Sequence, residues 1–316
     1  MKRILVIRFS ALGDVAMLAP VVRGAAEQYP DTEFTVLSQQ RMADMFADMP
    51  KNVVFHGVDL EQQSLRTIVN ELGKFDSVAD MHGVWRSLYI RMRMRLRGAQ
   101  VATIDKGRWD KWLLTHGLIR RPLTPTTERY KKVFERLSLP ITDWEWTDNA
   151  SITTRQCCGI APFAAHKGKV YPLERMERVV EMLSKRGEPV VLFGGGKEEQ
   201  AVLERLAKKY PHVESVAGKH SLAEELAIIR HLKCMVSMDS ANMHLASLVG
   251  TRVVSIWGAT HPYAGFAGFG QKESDCLQRD LKCRPCSVYG NKKCRFGDYR
   301  CMDIAPEEIV KKVCEG

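Results

Sequence analysis

The sequence predicts an α/β protein made of two consecutive parallel-sheet domains, and three observations carry that reading. Short apolar runs alternate with longer stretches of helical periodicity along most of the chain, the rhythm of strands joined by crossover helices. The best defined run, Ile4, Leu5, Val6 and Ile7, is apolar at successive positions, as a strand covered on both faces requires. The rhythm breaks once, at the polar, tryptophan-bearing stretch 139–154, and then restarts. A chain of 316 residues has the length for two cores. The expected domains are residues 1–150 and 151–316.

In the first half, strand 4–7 leads into a helix to about Gln28, whose apolar face is Val15, Met17, Leu18, Val21, Val22 and Ala25. Strands follow at 33–37, 53–55, 77–79 and 101–104, with a helix near 42–46. In the second half the expected strands are 159–162, 189–193, 213–216, 234–237 and 252–256. The helices between them are 173–185, 198–208, 222–230 and 241–248. A last helix follows a cysteine-rich loop and is expected to pack back on the first domain.

Hydrophobic content of 45% and charged content of 27% are those of a globular protein in water. Residues 1–3 lead straight into a strand rather than a secretory segment, and no apolar run nears the ~20 residues needed to span a bilayer. A cytoplasmic location is therefore expected. The net charge of +10 favours an acidic partner, whether nucleic acid, anionic lipid or a phosphorylated small molecule. None of the usual nucleic-acid recognition motifs is visible, so no nucleic-acid partner is expected.

The chemistry concentrates where strands end. Ile7-Arg8-Phe9-Ser10-Ala11-Leu12-Gly13-Asp14-Val15 sets a small flexible turn and a carboxylate between strand and helix, the place where open α/β sheets bind ligands. Asp14 has two readings there, an active-site carboxylate or a side chain that caps the helix. In the second half, residues 162–172 put small residues and Lys169 in a strand-to-helix loop, which can bring amides and an ammonium to a diphosphate. Phe193-Gly194-Gly195-Gly196-Lys197-Glu198-Glu199 is a glycine-rich turn whose carboxylates either hold ribose hydroxyls or are simply solvated at a helix start. A polar cluster around Asp239, Ser240, Met243 and His244 opens another helix, and strand 252–256 runs on to Gly258 and Thr260. His244 alone reads equally as a core histidine.

Taken in order, IRFSALGDV, APFAAHKGKVYP, FGGGKEE and SMDSANMHLASLVGTRVVSIWGAT resemble glycosyltransferase family nine, the ADP-heptose:lipopolysaccharide heptosyltransferases, over nearly the whole chain. The resemblance implies the GT-B architecture, two Rossmann-like domains facing a central cleft, with acceptor on the first and nucleotide-sugar on the second. It implies an inverting transfer of heptose from ADP-heptose to an inner-core lipopolysaccharide acceptor. It makes Asp14 the general base and Lys169 the contact to the donor diphosphate. Glu198, Asp239, Ser240, Met243, His244, Gly258 and Thr260 become donor-site residues, and Ser10 an acceptor-site residue. Two departures stand out: Ala241 where the family has glycine, and His261-Pro262-Tyr263 where an Asp-Pro is common. No cofactor is implied, and none of the roles calls for a catalytic metal.

Arg86, Arg91, Arg93, Arg95 and Arg97, followed by Lys106, Arg108 and Lys111, form a basic run interleaved with Met92, Met94, Leu96 and nearby tryptophans. Either it is a solvated helix face, or Arg86, Arg91, Arg93 and Lys106 bind an anionic, lipid-linked acceptor and hold the protein at the inner face of the membrane. Cys283, Cys286, Cys294 and Cys301 have spacing C-x2-C-x7-C-x6-C, compatible with a structural zinc site. Cys157, Cys158, Cys234 and Cys314 are expected to be buried hydrophobes. Three other functions compete: a transferase of the same scaffold using another nucleotide-sugar; a dinucleotide-dependent oxidoreductase, disfavoured because only Gly13 stands where G-x-G-x-x-G is needed; and a silent nucleotide-sugar binder, disfavoured by Asp14 and Lys169 together.

Overall fold

A computed structural model describes residues 1–142 and 156–315, so most of the expected boundary stretch lies outside the described residues. The contacts divide the chain into two compact units, one of Met1–Lys106 with Thr126–Thr147, the other of Gly107–Pro125 with Asp148–Gly316.

The first unit holds a five-stranded parallel sheet in the order β3-β2-β1-β4-β5. Its strands are β1 (Lys2–Ile7), β2 (Thr32–Gln39), β3 (Val53–Val58), β4 (Ser77–Asp80) and β5 (Gln100–Thr103). The helices in chain order are α1 (Leu12–Gln28), α2 (Leu65–Glu71), α3 (Trp85–Leu96), α4 (Arg108–Thr115) and α5 (Thr126–Glu135). Of these α4 belongs to the second unit. Ile4 to Ile7 are wholly buried, and β1 lies between β2 and β4 with Ile7 in register with Asp80. The two central strands therefore end together. Leu5, Ile7, Leu37, Val78, Ile68, Ile90 and Met94 share a core between sheet and helices. The expected helix near 42–46 is a 3-10 helix, Gln40–Phe46.

The second unit holds six parallel strands in the order β11-β10-β9-β6-β7-β8. They are β6 (Cys157–Ala161), β7 (Val190–Leu192), β8 (Val213–Ser215), β9 (Leu232–Met238), β10 (Val253–Trp257) and β11 (Cys276–Gln278). Helices α6 (Leu173–Lys185), α7 (Gly196–Lys209), α8 (Leu222–Arg230), α9 (Ala241–Leu248) and α10 (Pro306–Cys314) complete it. Ile160, Val236, Val254, Ile256, Val179 and Leu183 form its core together with Ile309, Val310 and Val313 of α10.

Three expectations change. Segment 107–125 was placed in the first domain, but Leu114 and Leu123 cluster with Ala264, Leu123 N–H donates to the Tyr263 carbonyl at 2.9 Å, and Lys111 Nζ sits 4.2 Å over the Phe266 ring. The last helix was expected on the first domain, and its apolar face is instead part of the second unit's core. All nine cysteines are free thiols; Cys158 and Cys234 are buried as expected, but Cys157 is half-buried and Cys314 exposed at the end of α10.

Candidate functional site

In each unit the strand order reverses beside the first strand, between β1 and β4 and between β6 and β9. The crevice past the strand ends at such a switch point is where open α/β sheets take ligands.

In the first unit this crevice is built by residues 8–14 and 80–87. Arg8, 7% exposed, donates to the Met81 carbonyl at 2.7 Å and forms an ion pair with Asp14. Burial works against the Arg8 charge, but Tyr130 and Asp14 outweigh it, so the guanidinium is held above its ordinary value. The Tyr130 hydroxyl, fully buried, donates to the Asp14 backbone carbonyl at 3.1 Å, and burial pushes its phenol well up. Asp14 Oδ2 also accepts the Ala11 N–H at 3.2 Å. The carboxylate thus does steady the start of α1, while keeping about a quarter of its side chain open, 26% exposed.

Sequence reasoning passed over His82. Its Nδ1 accepts the Phe9 N–H at 3.4 Å, which leaves the proton on Nε2, 3.4 Å from Ser10 Oγ. Burial, then the charges of Arg8 and Lys106, lower its pKa to about 4, so the ring is neutral at neutral pH. Asp80 organises the same loop: Oδ1 accepts the N–H groups of His82 and Gly83 at 3.0 and 2.9 Å, and Oδ2 accepts from Ser87 Oγ at 3.0 Å. A strand-end aspartate followed by glycine and serine is the turn signal that could have marked this loop. Asp80 also engages Arg91 at 3.0 Å, and Arg91 donates to Thr103 Oγ1 as well. Arg91, expected on an acceptor, is therefore committed to holding α3 against β4 and β5. Arg86 and Arg93 are exposed on α3, and Lys106 is half-buried.

In the second unit, β6 runs into a loop with a 3-10 turn at Lys167–Lys169. Lys169 Nζ lies 2.9 Å from Asp239 Oδ2, just past the end of β9. It is an ion pair by distance only, since Asp239 Oδ2 accepts no well-oriented hydrogen bond. Close packing of three loops fixes this lysine. Ala259 N–H donates to the Gly168 carbonyl at 2.8 Å. A Cβ on Gly168 would stand 2.7 Å from the Gly290 carbonyl oxygen, and one on Gly290 2.6 Å from Lys169 Cγ. Ser240 precedes α9, its Oγ 3.2 Å from Ser237 Oγ; Met243 and His244 are buried on that helix, and Thr260 is buried after β10. Glu198 is exposed on the first turn of α7, whereas Glu199 accepts the Gly195 N–H at 2.8 Å. Lys169, Asp239, Ser240, Gly258 and Thr260 thus come from adjacent strand ends, and Glu198 from the next one over.

Arg284, counted beforehand only as a spacer between cysteines, is the clamp of this region. Its guanidinium, 8% exposed, donates to the carbonyls of Trp257 at 3.1 Å, Thr260 at 2.9 Å and Gly258. Burial lowers its pKa, and the three carbonyl dipoles hold it. Burial, with the neighbouring thiols, raises the pKa of Cys286 and Cys301. Cys301 is buried in the core, Cys286 Sγ points to the Ala259 carbonyl at 3.8 Å, and Cys294 Sγ to Asp298 at 4.0 Å. Among the described residues no group of three or more His, Cys, Asp or Glu side chains is arranged to hold a metal ion.

Two Rossmann-like parallel sheets, each with charged groups at its switch point, make this an α/β protein of the nucleotide-binding class. Residues 119–297 match glycosyltransferase family 9 (heptosyltransferase), and the chain belongs to that family. It is 25% identical over 280 residues to lipopolysaccharide heptosyltransferase 3 of Escherichia coli, covering 78% of this chain and 81% of that protein. The structure of a glycosyl transferase family 9 protein from Veillonella parvula aligns over 100% of this chain and 98% of its own, with TM-score 0.74 and 18% identity. E. coli heptosyltransferase WaaC with ADP-2-deoxy-2-fluoro heptose aligns over 99% of each chain, with TM-score 0.70 and 19% identity. The fold is GT-B, and the protein is a glycosyltransferase.

Proposed function

We propose that this enzyme moves heptose from ADP-heptose to an anionic, lipid-linked acceptor of the lipopolysaccharide inner core, with inversion, at the cytoplasmic face of a membrane. Family membership together with a relative named lipopolysaccharide heptosyltransferase supports the substrates. The observation that carries the chemistry is the pairing of an accessible carboxylate, Asp14, with a buried cation at one switch point and of Lys169 with Asp239 at the other.

Asp14 takes the proton of the acceptor hydroxyl as its oxygen attacks the anomeric carbon, and the bond from that carbon to the diphosphate breaks. Lys169 meets the charge growing on the departing ADP, in a crevice where such a contact is little screened. Ser240, Met243, His244, Gly258 and Thr260 shape the donor crevice around it, and Glu198 reaches the ribose. On the acceptor side, the proton on His82 Nε2 is aimed at Ser10 Oγ, which frees the Ser10 hydroxyl to donate to an acceptor oxygen. Lys106 and Arg86, close enough to lower the His82 pKa, attract the acceptor's anionic groups.

The test is incubation of the protein with ADP-heptose and truncated lipopolysaccharide acceptors, with the product identified by mass. The expected result is one added heptose and an equivalent of ADP. Transfer from a different nucleotide-sugar but not from ADP-heptose overturns the donor assignment.

A further inference from the structure

Apart from Arg86 at its edge, the face of α3 turned away from the protein has no role in the chemistry above, and its composition is unusual for a surface. Ser87, Ile90 and Met94 point inward. Outward stand Trp85, Leu88, Tyr89, Met92 and Leu96, which are 67%, 40%, 37%, 56% and 80% exposed. Spaced by three and four residues, these five side chains fall on one stripe of the helix. At about 100° per residue, Arg86 and Arg93 flank one side of the stripe and Arg95 the other; all three are exposed. The helix WRSLYIRMRMRL contains no acidic residue.

We propose that α3 is a membrane-docking helix that lies in the interface of an anionic phospholipid bilayer, its apolar stripe among the acyl chains and its arginines at the lipid phosphates. An exposed apolar stripe of this size needs cover, and an amphipathic helix with Trp and Leu on one face and arginines beside it has the composition of an interfacial anchor. Arginine stems lie along apolar surface while their heads reach outward to phosphate. Charge decides the occupant. A second copy of this helix would bring arginine against arginine, whereas an anionic bilayer meets both flanks at once and attracts a chain of net charge +10. The proposal deepens the reading of a lipid-linked acceptor by naming the surface that brings the enzyme to it.

The experiment is co-sedimentation of the whole protein with phosphatidylcholine vesicles, with or without phosphatidylglycerol, at low and high salt. It contains neither nucleotide-sugar nor saccharide, so it fails or succeeds separately from heptosyl transfer. Wild-type protein is expected to sediment with the anionic vesicles, far less with neutral ones, and less at high salt. The triple variant Trp85→Ser, Met92→Ser, Leu96→Ser should lose at least about tenfold in apparent vesicle affinity, with an unchanged circular dichroism spectrum because all three side chains are exposed. A second variant, Arg93→Gln with Arg95→Gln, leaves the apolar stripe intact and should lose binding to anionic vesicles selectively. Wild-type protein that stays in the supernatant with both vesicles, or a triple variant that binds as wild type does, overturns the proposal. So does a lipid-free dimer that the triple variant abolishes, since the stripe would then serve a second copy of the chain.

Discussion

Lys169 Nζ stands 2.9 Å from Asp239 Oδ2, and the two side chains are 16% and 4% exposed. The Lys169 ammonium is therefore already paired with a carboxylate, and its loop is tied to the end of β9. A phosphate bound there, as proposed, would share the lysine with the aspartate rather than find it alone. In the proposed donor site Asp239 would then have two opposed effects, placing the cation and repelling the anion.

Removing the lysine should separate stability from binding. Lys169→Ala strands a buried carboxylate and is expected to cost about 3 kcal/mol of stability, read as a lower thermal midpoint. It should also weaken ADP binding by about 10- to 100-fold, the scale of a lost charge-assisted hydrogen bond. The double variant Lys169→Met with Asp239→Asn buries no charge, so it should regain most of the midpoint without regaining ADP affinity. Calorimetry on both proteins checks this, and unchanged ADP affinity in Lys169→Ala would remove the lysine from the donor site.

Asp14→Asn preserves an acceptor for the Ala11 N–H, and Arg8 keeps its bond to the Met81 carbonyl. If Asp14 is the base, turnover should fall by roughly 10²-fold, while ADP binding to the second unit stays as it was. Turnover close to wild type would leave Asp14 as the partner of Arg8 and a support for α1, and no more.

The contact by which Asp14 steadies the start of α1 was legible in the sequence because Ala11, whose N–H it accepts, lies within one turn of it. The positions of β1, β6, β9 and β10 were equally legible: each is an apolar run ending at small or polar residues, and each strand lies within two residues of its expected place. What escaped depends on contacts distant in sequence. Segment 107–125 joins the second unit through Leu114 and Leu123 against Ala264, more than a hundred residues on. Arg91 looked like its neighbours on α3, and only the placement of Asp80 at the end of β4 tells it from Arg93. Cysteine spacing drew attention to the thiols, and the structural role of the arginine between two of them, which spans carbonyls more than twenty residues away, had no signal in that spacing. The neutral His82 follows from burial beside Arg8 and Lys106, which periodicity does not reveal.

Acid sensitivity should follow from two histidines. Burial first, then nearby Arg8, lowers the pKa of His82 to about 4, and burial with Arg284 does the same for His261. An unfolded histidine titrates near its ordinary 6.5, so between that pH and about 4 the unfolded chain binds protons that the native one refuses. The stability tied to the neutral rings is complete above pH 6.5 and is lost as the pH falls toward 4. Urea midpoints should therefore decline across this window, and the double variant His82→Gln, His261→Gln should decline less steeply. Parallel declines in the two proteins would show that neither histidine is held neutral by the fold.

Arg284 offers the sharpest test of how the proposed donor crevice is held. Its guanidinium serves the carbonyls of Trp257, Gly258 and Thr260 and also donates to Gln278 Oε1 at 3.2 Å. Arg284→Met fills similar space but leaves those acceptors buried and unpaired, at about 1–3 kcal/mol each where water does not enter. A total loss of about 3 kcal/mol or more is expected in thermal or urea unfolding. ADP affinity should fall with it, because Gly258 and Thr260 follow β10 directly and Ala259 is bonded to Gly168 beside Lys169. Arg284→Lys keeps the charge but replaces a planar fork with a point donor that cannot span the three carbonyls, so it should recover only part of either loss. Full recovery with lysine would mean that charge alone, rather than the spread of donors, holds the strand end.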